Sequence, residues 1–147
     1  MGHIISVLAA QYLILLPIQK RGNPMTKIQI VDDDVQATNL IREVLLVYGY
    51  ETVVVNDSGM AVAVAKLVHP DLFVLDLMMP PPDGFKVCRM LRAEPDFKET
   101  PILIVTALGD TDSRIVAMGA GASDYLAKPF GIEDLAERVQ KLLNRVK

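Results

Sequence analysis

The sequence predicts an α/β fold with an open sheet of five parallel strands in the order 2-1-3-4-5 and helices on both faces. Short apolar runs alternate five times with longer segments of helical periodicity, which is a (βα)5 pattern. The apolar runs are nearly continuous in Ile, Val and Leu, as parallel strands buried on both faces require. Right-handed crossovers distribute the helices over the two faces, and a ligand site is expected where the strand order reverses, at the carboxyl ends of strands 1 and 3.

Length and composition are typical of one folded domain. The chain has 147 residues, of which 51% are hydrophobic and 22% are charged, so it is too apolar to be disordered. The formal net charge of −3 disfavours binding to nucleic acid through bulk charge, and we expect no direct nucleic-acid binding. The single cysteine, Cys88, cannot form an internal disulfide, and two histidines are too few for the usual structural zinc site.

The segment before the first predicted strand, residues 1–24, is predicted to lie outside the domain, which we expect to span residues 25–147. It contains an apolar stretch, Ile4–Ile18, whose 15 residues are fewer than the roughly 20 that span a membrane. No positive charge precedes this stretch and no cleavage site follows it, so it does not resemble a secretory signal, and we expect a cytoplasmic protein. Three alternatives remain: the natural chain starts at Met25, the stretch is a short packing helix, or it is a weak membrane tether.

The individual elements follow from apolar runs and capping residues. The predicted strands are Ile28–Val31, Thr52–Asn56, Leu72–Leu75, Ile102–Val105 and Asp124–Ala127. The predicted helices are Val35–Tyr48, Gly59–Val68, Gly84–Ala93, Thr111–Met118 and Ile132–Val146. Aspartates precede four of these helices and are suited to cap their amino termini: Asp34, Asp57, Asp83 and Asp110. The first helix is predicted to place five residues on one face: Leu40, Ile41, Val44, Leu45 and Tyr48.

Polar residues mark the carboxyl ends of four predicted strands. Asp32 and Asp33 end strand 1, Asp76 ends strand 3, Thr106 ends strand 4 and Lys128 ends strand 5. Because the carboxyl ends of parallel strands lie at the same edge of a sheet, we expect these five side chains to form one pocket.

The charges of this pocket predict metal-assisted phosphoryl transfer. Three carboxylates in one pocket repel one another, so their pKa values would rise unless cations keep them ionised. The Lys128 ammonium is one such cation, and a set of oxygen ligands with room for water predicts that the other is Mg²⁺. A carboxylate beside Mg²⁺ and a lysine can attack phosphorus, while the Thr106 hydroxyl donates a hydrogen bond to a phosphoryl oxygen.

Four linked motifs resemble the receiver domain of two-component response regulators, including the chemotaxis receivers. They are IQIVDDD (28–34), VLDLMMPPPDG (74–84), PILIVTALGD (101–110) and GASDYLAKPF (121–130). The intervals are 44 residues from Asp32 to Asp76, 30 from Asp76 to Thr106 and 22 from Thr106 to Lys128. The resemblance covers Met25–Lys147 and implies a flavodoxin-like fold and a phosphorelay function.

The resemblance implies a role for each residue of the pocket. Asp76 would accept the phosphoryl group as an acyl phosphate, and the protein would catalyse only its own phosphorylation and dephosphorylation. Asp33, Asp76 and the backbone carbonyl of Met78 would bind Mg²⁺ directly, whereas Asp32 would bind it through water. Lys128 would pair with the phosphoryl group.

The resemblance also implies a conformational switch. The Lys128–Pro129 peptide bond would be cis, which is permitted before proline. Thr106 would move toward the phosphate and Tyr125 would turn inward. These movements would change the face formed by helix 4, strand 5 and helix 5.

The implied partners follow from this switch. The phosphodonor would be a histidine on a sensor histidine kinase or a histidine phosphotransfer protein. The output would be an unidentified downstream protein or a homodimer through the face of helix 4, strand 5 and helix 5. On this face, Arg114, Asp124 and Arg138 either form charge pairs across such a dimer or belong to a solvated surface.

Three other functions remain open from the sequence. A haloacid-dehalogenase-like phosphatase would use Asp32 as nucleophile with Asp34 as acid, but Gln36 stands where Thr or Val is usual and no acidic pair follows Lys128. Phosphorylation of Asp32 rather than Asp76 would identify this class. A pseudo-receiver would bind partners without phosphorylation. The chain is also compatible with a receiver fragment of a longer transcriptional regulator.

Two features depart from the usual receiver pattern. Met78 and Leu108 each lie two places after a pocket residue and are apolar, so we expect them to impede an attacking water and slow self-dephosphorylation. Three consecutive prolines, residues 80–82, stiffen the loop after strand 3, because proline fixes φ and lacks the amide donor.

Overall fold

A parallel sheet of five strands forms the centre of the part of the chain that the computed structural model describes, residues 25–145. The strands are β1 (Lys27–Val31), β2 (Glu51–Val55), β3 (Leu72–Leu75), β4 (Ile102–Thr106) and β5 (Asp124–Ala127). Their order is β2-β1-β3-β4-β5, and every neighbouring pair is parallel. The predicted α/β class and strand order are confirmed. The predicted extension, residues 1–24, lies outside the described residues, as does Val146 at the predicted end of the last helix.

Five α-helices alternate with the strands within residues 25–145, and the last of them follows β5. They are α1 (Val35–Val47), α2 (Ala61–Val68), α3 (Gly84–Ala93), α4 (Thr111–Gly119) and α5 (Ile132–Arg145). The carboxylate of the predicted cap Asp34 accepts hydrogen bonds from two backbone amides in the first turn of α1. The predicted start of the second helix at Gly59 falls in a 3-10 turn, Ser58–Met60, because helix ends often adopt this tighter conformation. None of these helices is long and apolar enough to cross a bilayer.

The sheet separates two hydrophobic cores, because successive strand residues point to opposite faces. On one face, α1 and α5 pack against the strand residues Ile28, Ile30, Leu72, Val74, Leu103, Val105 and Leu126. On the other face, α2, α3 and α4 pack against Val31, Val55, Phe73, Leu75, Ile102, Ile104 and Tyr125. The central strands are therefore covered on both sides, which leaves only the strand ends available for a polar site.

The buried face of α1 is narrower than the sequence predicts. Leu40 and Tyr48 were expected on this face, but their exposed fractions are 52% and 42%. Thr38 is fully buried instead, and its hydroxyl donates to the Val35 carbonyl at 3.0 Å. The reason is that α1 meets β1, β2 and α5 along one stripe, so neighbouring apolar positions remain at the surface. Leu40 lines an apolar groove of about 180 Å³ beside Pro129.

An arginine holds together the edge of the sheet that lies opposite the strand carboxyl ends. Arg92 of α3 donates hydrogen bonds to the backbone carbonyls of Gly121, Phe97 and Thr100 and to the Ser123 hydroxyl. These acceptors lie in the loops that enter β4 and β5. Arg92 therefore fixes the amino ends of two strands, an interaction that no local sequence pattern indicated.

Candidate functional site

The backbone beyond the strand ends continues the hydrogen bonding of the sheet and fixes the functional residues. The amide of Asp32 donates to the Val55 carbonyl at 3.2 Å, and the amide of Asp76 donates to the Val31 carbonyl at 3.0 Å. Next to the edge strand β5, the Lys128 amide donates to the Thr106 carbonyl at the end of β4, at 2.8 Å. Residues that are far apart in sequence thus reach one edge with little freedom of the main chain.

Three acids meet at this edge. One carboxylate oxygen from each of Asp32, Asp33 and Asp76 lies within 4.8 Å of the others, a spacing at which the group could hold a metal ion. Asp32 and Asp76 are buried, with exposed fractions of 2% and 7%, whereas Asp33 is exposed. The cluster therefore opens to solvent on the side of Asp33.

Lys128 faces two of these acids. Its Nζ lies 2.8 Å from Asp32 Oδ2 and 3.5 Å from Asp76 Oδ2. Burial lowers the pKa of Lys128, but the hydrogen bond to Asp32 and the charge of Asp76 outweigh it, so the net pKa lies above the ordinary value and the amine stays charged. Burial, together with the Asp76 charge, raises the pKa of Asp32 despite its hydrogen bonds with Lys128 and with the amide of Asp34. The single ammonium of Lys128 therefore does not balance the negative charge of the three carboxylates.

Asp76 is held in one orientation. Its Oδ1 accepts hydrogen bonds from the amides of Leu77 at 2.7 Å and Met78 at 3.3 Å. The start of α3 packs directly on its main chain: a Cβ added to Gly84 would lie 2.0 Å from the Asp76 carbonyl oxygen, so only glycine fits there. The amide of Gly84 also donates to the Leu77 carbonyl at 3.0 Å, which closes the loop after β3.

Thr106 and Tyr125 both contact the loop between β4 and α4. Thr106 is fully buried, and its Oγ1 accepts a hydrogen bond from the Leu108 amide at 3.4 Å. Tyr125 is 5% exposed, and its hydroxyl donates to the Leu108 carbonyl. Burial raises the pKa of Tyr125, as do the charges of Asp110 and Asp76. Tyr125 therefore lies inward in this structure. Its inward turn on phosphorylation stays a prediction.

The remaining predicted residues are placed as follows. The Lys128–Pro129 peptide bond is cis. The side chain of Met78 has an exposed fraction of 56%. On the face of α4, β5 and α5, Arg138 donates to the carboxylate of Asp124 at 3.1 Å and so ties α5 to β5 within one molecule.

Two further polar residues lie at this edge and are not among the site residues predicted from the sequence. Asn56 Nδ2 donates to the backbone carbonyl of Asp32 at 2.8 Å, and Ser58 Oγ donates to the carbonyl of Pro80 at 3.1 Å. Asn56 directly follows β2, so the strand-end rule that identified the acids would also have identified this residue. The prediction had placed Asn56 inside the second strand instead.

Comparisons with known proteins agree with this geometry. Residues 28–140 match the family described as response regulator receiver domain. The chain is 41% identical to "Response regulator MprA" of Mycobacterium leprae over 121 residues, 82% of this chain and 52% of the relative. It is 40% identical to "DNA-binding dual master transcriptional regulator RpaA" of Synechocystis sp. over 121 residues, 82% of this chain and 50% of the relative. The chain thus spans about half the length of these curated relatives.

Solved structures give the same result over the folded part. The BeF3-activated N-terminal receiver domain of Klebsiella pneumoniae RstA superposes with a TM-score of 0.75 at 33% identity, covering 80% of this chain and 97% of that one. Chemotaxis protein CheY4 of Vibrio cholerae superposes with a TM-score of 0.78 at 29% identity, covering 81% of this chain and 99% of that one.

The expectation of no direct nucleic-acid binding finds no support in the relatives, one of which is named DNA-binding. The chain belongs to the response regulator receiver domain family, the signalling domains of two-component systems.

Proposed function

We propose that this receiver accepts a phosphoryl group on Asp76 from a phosphohistidine, with Mg²⁺ bound beside the acceptor. The observation that carries the proposal is the position of the Lys128 ammonium, 2.8 Å from an oxygen of Asp32 and 3.5 Å from one of Asp76. A fixed cation at this distance from a carboxylate nucleophile can stabilise the negative charge of a phosphoryl group as the group arrives.

The donor set fits Mg²⁺. It consists of carboxylate oxygens within 4.8 Å of one another, and a hard oxygen set of this kind suits a hard divalent cation. The open side at Asp33 admits the water ligands that Mg²⁺ retains. In this proposal Asp33, Asp76 and the Met78 carbonyl bind the ion directly, and Asp32 binds it through water. The bound ion would neutralise charge on the phosphoryl oxygens.

Asp76 is the nucleophile in the proposed reaction. A carboxylate oxygen forms a bond to phosphorus while the N–P bond to the donor imidazole breaks, so the imidazole leaves with the electron pair and an acyl phosphate remains. The two amides that hold Oδ1 orient the carboxylate before the donor arrives. Hydrolysis of the acyl phosphate by water reverses the modification, so the protein acts only on itself.

The phosphatase alternative receives less support from the contacts of its two aspartates. It would require Asp32 as nucleophile and Asp34 as acid. Both oxygens of Asp32 accept hydrogen bonds, from the Asp34 amide at 3.0 Å and from Lys128 at 2.8 Å. The Oδ1 of Asp34 caps α1 through the amides of Gln36 and Ala37. Asp34 thus serves as a helix cap, which disfavours its use as the acid that this alternative requires.

The output in this proposal passes through the face of α4, β5 and α5. Thr106 and Tyr125 both hold the Leu108 segment before α4, so a phosphoryl group that attracts Thr106 would shift this loop. The altered face would form a homodimer or bind a downstream protein, with a sensor histidine kinase or histidine phosphotransfer protein as donor. The relatives' names support a role in transcriptional control for a longer protein that contains this receiver. We place this role in the cytoplasm and the receiver within residues 25–147.

A phosphorylation assay on the full chain tests the proposal. The protein is incubated with a small-molecule phosphodonor, with Mg²⁺ or with EDTA, and the intact mass and the modified peptide are determined for the wild type, Asp76→Asn and Asp32→Asn. We expect Mg²⁺-dependent addition of one phosphoryl group to Asp76 in the wild type and none in Asp76→Asn. Modification of Asp32 would identify the phosphatase class, and no modification of the wild type would favour a pseudo-receiver.

A further inference from the structure

The loop between β2 and α2 contacts both loops that carry the acids. Asn56 donates to the Asp32 carbonyl, and two residues later Ser58 donates to the Pro80 carbonyl. Ser58 is 5% exposed. The short loop after the edge strand β2 therefore holds the main chain after β1 and also the main chain after β3.

The contact with Pro80 is important because of the three prolines in this loop. Residues 80–82 have no amide hydrogen, so the loop cannot be held by its own donors at these positions. The two ends of the loop are joined where the Gly84 amide donates to the Leu77 carbonyl at 3.0 Å. Between these ends, the Ser58 hydroxyl supplies a donor that the prolines lack, at 3.1 Å from the Pro80 carbonyl.

The contact with Asp32 has the corresponding effect on the other acidic loop. Asn56 Nδ2 also lies 3.2 Å from Thr38 Oγ1, and Thr38 is fully buried in α1. The Asn56 amide is thus itself oriented by a rigid neighbour while it holds the Asp32 carbonyl. Fixing this carbonyl fixes the peptide that leads into Asp33.

We propose that Asn56 and Ser58 are positioning residues that preorganise the oxygens of Asp33 and Met78 for Mg²⁺. This inference rests on the proposed function, because it assigns these two oxygens to the metal. Met78 lies two residues before Pro80, so a fixed Pro80 carbonyl and the restricted proline φ limit the directions in which the Met78 carbonyl can point. Residues that orient the metal ligands without binding the metal often determine metal affinity in this way. Removing such a residue weakens metal binding by about 10–100-fold.

Mg²⁺ titration of the unphosphorylated full chain tests the inference. Binding is measured by calorimetry for the wild type, Asn56→Ala, Ser58→Ala and the double variant, and the thermal midpoint of each is measured in EDTA. We expect the Kd for Mg²⁺ to rise about threefold in each single variant, because the other contact remains, and about tenfold in the double variant, which reaches the lower end of the range for outer partners. Ser58→Thr, which keeps the hydroxyl, should restore the wild-type Kd to within about twofold.

Ser113→Ala is the matched control, because the Ser113 hydroxyl bonds to Asp110 at the start of α4 and contacts no acidic loop of the cluster. Its Mg²⁺ affinity should equal that of the wild type. If Ser58→Ala does not fold, Ser58→Cys keeps the side-chain shape, with a somewhat larger atom and a weaker donor, and should show the same loss of affinity. Unchanged Mg²⁺ affinity in the double variant, or a Ser58→Thr variant that binds as weakly as Ser58→Ala, would overturn the inference.

The outcomes separate this inference from the proposed function. A wild-type chain that binds no Mg²⁺ and is not phosphorylated on Asp76 contradicts the proposed function itself. A wild type that does both, with variants that bind Mg²⁺ equally well and differ only in thermal midpoint, contradicts the positioning role alone and leaves Asn56 and Ser58 as structural residues.

Discussion

The Lys128 ammonium donates a hydrogen bond of 2.8 Å to Oδ2 of Asp32, joining residues 96 positions apart in the chain. The contact connects β1 to β5, which are separated in the sheet by β3 and β4. Asp32 is nearly inaccessible, with a side-chain exposure of 3%, whereas Lys128 has 23%. The amine thus compensates a buried negative charge and also lies 3.5 Å from an oxygen of the proposed acceptor Asp76.

Replacing this lysine should affect both stability and chemistry. In EDTA, we expect Lys128→Met to lower the free energy of unfolding by about 2 kcal/mol, because a buried acid loses its partner although part of the cost is relieved by protonation. Phosphorylation by a small donor at saturating Mg²⁺ should slow by about 100-fold, as for loss of one stabilising donor at a reacting group.

Lys141→Met is the control for this substitution, because within residues 25–145 the ion pair of Lys141 is with Glu137, on the exposed surface of α5. Urea denaturation and an initial-rate assay provide the two measurements. An unchanged rate in Lys128→Met would contradict the role of Lys128 in the reaction, whatever happens to stability.

The hydroxyl of Tyr125 is expected to restrain the loop before α4. Tyr125→Phe removes the hydrogen bond to the Leu108 carbonyl and should destabilise this loop by about 1 kcal/mol, which corresponds to roughly fivefold faster amide exchange in residues 107–112. The phosphorylation rate should remain close to that of the wild type, because the hydroxyl does not contact the acids. Tyr48→Phe serves as the control on an exposed tyrosine. Hydrogen exchange equal to the wild type in both variants would mean that the loop is held by other contacts.

Met78 is expected to lengthen the life of the phosphorylated state. Its exposed side chain lies two residues after Asp76, and an apolar group there cannot orient an attacking water. Met78→Asn should therefore shorten the lifetime of phospho-Asp76 by about tenfold, a modest part of what positioning a reactant contributes. Loss of label after removal of the donor measures this lifetime, with Met60→Asn as the control for an exposed methionine. A lifetime that does not shorten would show that water access is determined elsewhere.

The cap of α4 predicts a dependence on pH. Hydrogen bonds from the backbone amide and the hydroxyl of Ser113 hold the pKa of Asp110 below its ordinary value of 3.8. The ionised group is therefore favoured by folding, so its contribution is present above pH 3.8 and is lost as the pH falls through the lowered pKa. Carbon chemical shifts of the first turn of α4 should differ between the wild type and Asp110→Ala above the lowered pKa of Asp110 and converge below it. Asp110→Asn, which caps without titrating, should remove the pH dependence while keeping the turn.

The strand-end acids illustrate what can be predicted from local sequence. Asp32, Asp76 and Lys128 each follow a short, mainly apolar run, and the parallel order predicted from the (βα)5 pattern is sufficient to bring them to one edge. The surface of α1 illustrates the opposite case. Leu40 has the apolar character and spacing of a core residue, but the width of the buried stripe depends on how closely α1 approaches the sheet and α5, which is a property of the packed structure.

Local hydrophobic pattern and motif spacing were enough to predict the strands, their order and the family, all of which are confirmed. The same patterns predict the acids, the lysine and the threonine as site residues. Local sequence does not reveal that Asn56 and Ser58 hold the two acidic loops, that Arg92 fixes the opposite edge or that Tyr125 lies inward on the Leu108 carbonyl; these contacts depend on packing. These contacts are hydrogen bonds from side chains to backbone carbonyls. Every residue offers such a carbonyl, so residue type does not reveal which one is chosen until the chain is folded.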